Sequence, residues 1–142
     1  KFEIEIFQDI NGSQPFLNWA DRKLSDSQFA ALDAAIANVL AEQGSQLLGT
    51  AWLKSLGKNL FEFRIRHTAS QIVKKASPNT KSDGQRSKIL LRVFVAFPSQ
   101  SQVLILHGYD KGSDDSRSRQ QKEIAIARAR LKQWNMQSGK RI

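Results

Sequence analysis

A chain of 142 residues, 40% apolar and 25% charged, is the size of a single domain with its own core, which excludes a disordered tail. With no cysteine, disulfides and thiolate metal sites are excluded, and two histidines, His67 and His107, are too few and too far apart to suggest a metal centre. The formal net charge is +9 and it is one-sided: 5 basic and 8 acidic residues lie between Lys1 and Glu62, against 17 basic and 5 acidic from Phe63 onward. A pI near 10.2 with the positive charge confined to one half points to a polyanion partner, with a solvated basic face as the bland alternative.

In chain order, "FEIEIF" (Phe2–Phe7) alternates apolar and acidic residues, the pattern of a strand with one wet face. After the turn "NGSQP", a short helix is predicted from Pro15 to Lys23. A longer one follows, with Ser25 as N-cap, Gln28 completing a capping box, and Leu24 and Phe29 placed for a hydrophobic staple. Its apolar face holds Phe29, Leu32, Ile36, Val39 and Leu40, and it stops at Gly44. "LFEFRIR" (Leu60–Arg66) alternates again, with Glu62, Arg64 and Arg66 sharing one face. The segment from His67 to Ser87 is polar, basic and turn-rich, and reads as a long excursion between strands. Lys88–Phe97 and Gln102–His107 are apolar on both faces, so they are expected to be central strands, joined through "PSQS". The last predicted element is a helix capped by Ser118 and Gln121, with Ile124, Ala127, Leu131 and Trp134 as its buried stripe. The expected order is β-α-α-β-β-β-α, a single α+β domain over residues 1–142 with one antiparallel-rich sheet, no repeat and no second core.

Two stretches invite chemistry. Seven of the eight residues from Ile89 to Ala96 are apolar and the eighth is Arg92. If its strand neighbours Leu60–Arg66, Arg64 or Arg66 stands beside Arg92, and clustered guanidinium groups call for anions. A phosphate is the natural ligand because a guanidinium grips two of its oxygens in parallel. A structural ion pair of Arg92 with Glu62 or Asp110 is the alternative. In "LILHGYDKG" (Leu104–Gly112), Gly108 is read as letting the backbone turn, so that Tyr109, Asp110 and Lys111 arrive on a loop. His107 is a candidate proton carrier at neutral pH or a hydrogen-bonded structural residue; Tyr109 is suited to stacking or proton transfer, and Lys111 to offsetting phosphorane-like charge.

"LFEFRIR", "KILLRVFVAF", "LILHGYDKG" and "RQQKEIAIARARL", in this order after a helical hairpin, resemble the phage-derived Gp49-like branch of the RelE/HigB toxins of type II toxin–antitoxin systems. The resemblance implies a compact microbial-ribonuclease-like fold and a ribosome-dependent, metal-independent mRNA endoribonuclease. In such a reaction the ribose 2′-hydroxyl attacks the adjacent phosphate and leaves a 2′,3′-cyclic phosphate. It implies a catalytic set of Arg64, Arg92, His107, Tyr109 and Lys111, with no metal and no cofactor. Further RNA contacts are expected from Arg66, Lys74, Lys75, Arg86, Arg117, Arg119, Lys122 and Arg128. Arg130 and Lys132 are placed with Arg128 for backbone phosphates or on a solvated helix face. Implied partners are a cognate antitoxin, expected to be a small helix-turn-helix protein, and the ribosome with its mRNA. Two departures stand out: the excursion of about 20 residues where the family has a tight turn, and Glu62 where some relatives carry a base.

No apolar run approaches the ~18 residues of a membrane span, and no secretory-type leader opens the chain, which begins at Lys1 as if a few natural residues preceded it. A cytoplasmic protein is therefore expected. The rival readings are a non-catalytic nucleic-acid-binding module, and a protein whose basic cleft is filled by an acidic segment of a partner.

Overall fold

The computed structural model describes residues 1–66 and 89–139. The excursion expected over 67–87 lies outside the described residues, together with Lys74, Lys75 and Arg86. Five strands, β1 (Glu3–Ile6), β2 (Leu53–Gly57), β3 (Leu60–Ile65), β4 (Leu91–Ser99) and β5 (Gln102–Asp110), form one sheet in the order β1-β5-β4-β3-β2. All pairings are antiparallel except β1 with β5. Helices α1 (Pro15–Lys23) and α2, which begins as Asp26–Ala35, cover one face, and α3 (Arg117–Ser138) covers the other. The fold is thus α+β, with apolar layers on both faces of a single sheet rather than one core. Among the described residues no helix is long and apolar enough to cross a membrane.

Strand alternation sorts the two layers. Phe63, Ile65, Leu91, Val93, Val95, Val103 and Ile105 meet Phe16, Ala20, Leu32, Ala35 and Val39 of the helical hairpin. Leu60, Phe94, Ala96, Leu104 and Leu106 meet Ala127, Leu131 and Trp134 of α3. Each such buried side chain contributes about 1.5–3 kcal/mol relative to exposure, which is why β4 and β5, apolar on both faces, occupy the interior of the sheet.

The capping box at Ser25 forms, with Gln28 N–H donating to Ser25 Oγ at 3.2 Å and Ser25 N–H to Gln28 Oε1 at 2.9 Å. Phe29, expected on the buried face, is instead 44% exposed, because the buried line runs through Ala31, Leu32 and Ala35. Beyond Ala35 the helix passes through a π-helical turn, Ile36–Leu40, in which Ala41 N–H donates to Ile36 C=O, before its last residues Ala41–Gln43. Gly44 ends it at φ +47°, and any Cβ there would lie 2.5 Å from the Phe2 ring.

Three expectations are corrected. Strand β2 was not foreseen. It holds few apolar residues, its Lys54 and Ser55 are exposed at the sheet edge, and a two-residue turn joins it to β3 with Lys58 (φ 52°) and Asn59 (φ 59°) both left-handed. The N-cap of α3 is Ser116, whose Oγ accepts from Arg119 N–H at 3.2 Å, so the helix begins two residues before the Ser118 box. Gly108 does not turn the chain: β5 runs on to Asp110, and a Cβ on Gly108 would stand 2.7 Å from Trp19 and 3.0 Å from Phe16. Its function is close packing of α1, and Tyr109 and Asp110 are strand residues rather than loop residues.

Candidate functional site

The face of the sheet beneath the first turns of α3 carries the candidate site. Arg64 of β3, Arg92 of β4 and Tyr109 of β5 are direct register partners, making one cross-strand row. The next row is Glu62, Phe94 and His107. A bulge creates this arrangement: Phe94 pairs with His107 but Val95 pairs with Ile105, so Leu106 is an extra residue in β5. Without it, His107 and Tyr109 would share a face with Val103 and Ile105 and point toward the hairpin.

Arg92 is 3% exposed. Glu62, fully buried, is its neighbour at 4.0 Å, too long for a hydrogen bond, and Arg92 Nε has no hydrogen-bond partner among the described residues. One Arg92 amino group donates to Leu91 C=O at 3.1 Å. Glu62 accepts from Arg64 Nε at 3.0 Å and from Gln120 Nε2 of α3 at 2.9 Å. Asp110, the other partner considered for Arg92, instead accepts from Gln28 Nε2 at 2.8 Å and Gly112 N–H at 2.9 Å, tying β5 to the start of α2. Burial lowers the Arg92 pKa from its ordinary value; Arg66 and Arg64 lower it further while Glu62 opposes them. Lys111, half-buried just beyond β5, is likewise lowered by burial and then by Arg92, Arg64 and Arg66. Among the described residues, Arg64, Arg66, Arg92 and Lys111 thus lie near one carboxylate, Glu62.

His107 is held from both sides. Arg130 donates to its Nδ1 at 2.8 Å and to Leu106 C=O at 2.9 Å, while Nε2 lies 2.5 Å from Glu123 Oε1. A guanidinium can only donate, so Nδ1 is the acceptor and Nε2 carries the proton, which assigns the neutral tautomer. Burial lowers the His107 pKa against the hydrogen bond to Glu123 that raises it. For Glu123 burial acts upward, and the hydrogen bonds from His107 and Arg119 together outweigh it, leaving the carboxyl below its usual range. Tyr109 is 1% exposed, its hydroxyl has no hydrogen-bond partner among the described residues, and burial followed by Glu62 raises its pKa. The Phe94 ring is stacked with both His107 and Tyr109, at 6.0 Å in each case.

The remaining sequence candidates divide. Arg66 is exposed at the end of β3, and Arg117 and Lys122 are exposed on α3. Arg119 lies over the Tyr109 ring and donates through Nε to Glu123 at 2.8 Å. Arg128 turns to the sheet edge, donating to Leu56 C=O at 2.7 Å and Gly57 C=O at 3.4 Å, so it holds β2. With Arg130 engaged at His107, neither arginine belongs to a free phosphate-binding face; Lys132 is exposed. Gln120 and Glu123 were not singled out from the sequence, and Arg130, expected at backbone phosphates or on a solvated helix face, instead bonds to His107 and Leu106. The stripe Ile124, Ala127, Leu131, Trp134, carried back one turn, would have brought Gln120 and Glu123 to the sheet.

Among the described residues no group of acidic or histidine side chains could hold a metal ion. No protein-family model matches the chain, and a search of curated proteins finds no significant match.

Proposed function

We propose that this chain is a ribosome-dependent, metal-independent mRNA endoribonuclease of RelE-like fold, the toxin of a type II toxin–antitoxin pair, acting in the cytoplasm and neutralised by a small helix-turn-helix antitoxin. The observation that carries the reading is the group Arg64, Arg66, Arg92 and Lys111 near the carboxylate of Glu62, with a nearly buried Arg92 whose Nε–H has no acceptor among the described residues. Cations gathered this way at a sheet face are stabilised by an anion with several oxygens, which a phosphodiester supplies. The motif resemblance and the basic second half of the chain supply the rest.

In this reading Arg92 grips the scissile phosphate with two parallel hydrogen bonds. Arg64 and Lys111 offset the extra negative charge of the phosphorane-like transition state. The 2′-oxygen forms its bond to phosphorus as its proton leaves, and the 5′-oxygen departs as it gains one, leaving a 2′,3′-cyclic phosphate. Tyr109, kept protonated by burial and lacking an acceptor among the described residues, is better suited than His107 to supply a proton, because both nitrogens of His107 are engaged.

The test is expression without the antitoxin, with mapping of mRNA ends. Wild type is expected to generate cyclic-phosphate ends within ribosome-bound reading frames, and Arg92→Ala is not. Intact transcripts, with wild type and Arg92→Ala indistinguishable, would refute it.

A second reading, a non-catalytic RNA-binding module, is favoured by one specific observation: among the described residues, the engaged His107 and the buried Tyr109 hydroxyl leave no exposed acid–base pair beside the cations. It predicts RNA binding that weakens with salt, with a log–log slope of roughly −3 for four phosphate contacts on single strands, and no cyclic-phosphate ends.

A further inference from the structure

Arg119 sits where the helix dipole disfavours a cation. It is two residues inside α3, whose first turn carries no acidic residue, and the N-terminal end of a helix dipole disfavours positive charge. Two contacts nevertheless hold its guanidinium in place. Nε donates to Glu123 Oε2 at 2.8 Å, and Cζ lies 5.1 Å from the centroid of the Tyr109 ring. The carboxylate holds the guanidinium through Nε and the cation lies over the tyrosine ring, while the side chain remains 29% exposed. Glu123 is itself fixed by His107, which Arg130 anchors to the sheet. Tyr109 is the register partner of Arg92, so the stack rises one strand, about 4.8 Å, away from the proposed phosphate grip.

Resting on the RNA reading above, we infer that the guanidinium of Arg119, backed by Tyr109, is a shelf on which one nucleobase next to the gripped phosphate stacks. A guanidinium plane receives a base as an aromatic ring does. This differs from a phosphate contact, for which only the charge of Arg119 would matter. It also gives the chain of hydrogen bonds from Arg130 through His107 and Glu123 a purpose: it sets the orientation of the shelf and moves no proton in the reaction.

The test uses ribosome complexes programmed with a short message whose A-site codon is either natural or abasic at one of its three positions, with single-turnover cleavage as readout. Wild type is expected to cut the message abasic at one particular position on the order of tenfold more slowly than the natural one. Arg119→Lys, which keeps the charge and loses the plane, is expected to cut both at the same reduced rate, with a melting temperature close to that of wild type. Equal cleavage of natural and abasic messages by wild type, with cleavage still lost in Arg92→Ala, overturns the shelf and leaves the ribonuclease reading standing. Discrimination that persists in Arg119→Lys overturns it as well. Absence of cleavage of any programmed complex by wild type overturns the ribonuclease reading, and the shelf falls with it.

Discussion

Replacing Glu62 by glutamine tests whether one carboxylate holds the cationic floor together. Gln has nearly the same shape, so packing is preserved while the only carboxylate beside Arg92 and Arg64 among the described residues is removed. Arg92 is 3% exposed and cannot shed its charge, and removing one partner of a buried ion pair costs about 3–5 kcal/mol. The 4.0 Å separation from Arg92 and the partial exposure of Arg64 place Glu62→Gln at the lower end, about 3 kcal/mol. For a domain of this size that is a fall in Tm of roughly 10 °C. Circular dichroism melts at pH 7 and low salt provide the assay. Glu62→Gln combined with Arg92→Met should recover most of the loss, since apolar replacement of a buried pair is often neutral or better. Inorganic phosphate should raise the Tm of Glu62→Gln more than that of wild type, because the cations then lack their internal anion. A Tm for Glu62→Gln within a degree of wild type, unaffected by phosphate, would refute the account of the site as an under-neutralised cationic cluster.

Three further outcomes are expected. The folded-state pKa of His107 lies below its unfolded value of about 6.5. Its contribution to stability is therefore complete above about pH 6.5 and is lost as the pH falls toward the folded pKa; wild type should lose Tm between pH 7 and 5, and His107→Gln should lose less over the same interval. Gly108→Ala should destabilise by about 1–3 kcal/mol, because its methyl group meets Trp19 and Phe16 and α1 must move off the sheet; near-ultraviolet circular dichroism of the tryptophans would record the shift. Ser116→Ala should cost about 1 kcal/mol in urea unfolding through loss of the α3 cap, whereas Ser118→Ala should be close to neutral; the reverse ranking would contradict the position of the cap.

Local patterns were legible from the residues alone. The alternation in "LFEFRIR" puts Glu62 and Arg64 on one face whatever the strand pairs with, because successive side chains in any strand point to opposite sides. The apolar run around Arg92 required β4 to be interior, and Ser25, Gln28 and Gly44 marked the ends of α2 through hydrogen bonding and backbone conformation that act within a few residues. The sequence also implied the arginine cluster, since Arg64 meets Arg92 once the two strands pair.

Tertiary structure decided what depends on distant partners. The bulge at Leu106 reverses the phase of β5, and nothing in "LILHGYDKG" announces it, because a bulge is a property of the pairing with Phe94 and Val95. The parallel placement of β1 against β5 and the edge position of β2 likewise follow from which strands find each other. Closure of α3 over the sheet chose the partners. It brought Gln120 to Glu62, Glu123 and Arg130 to the two nitrogens of His107, and Arg119 to Tyr109. These pairs are separated by up to 58 positions in the chain. Charge and residue type specify what such side chains can do, but only packing two apolar faces against each other sets which of them meet.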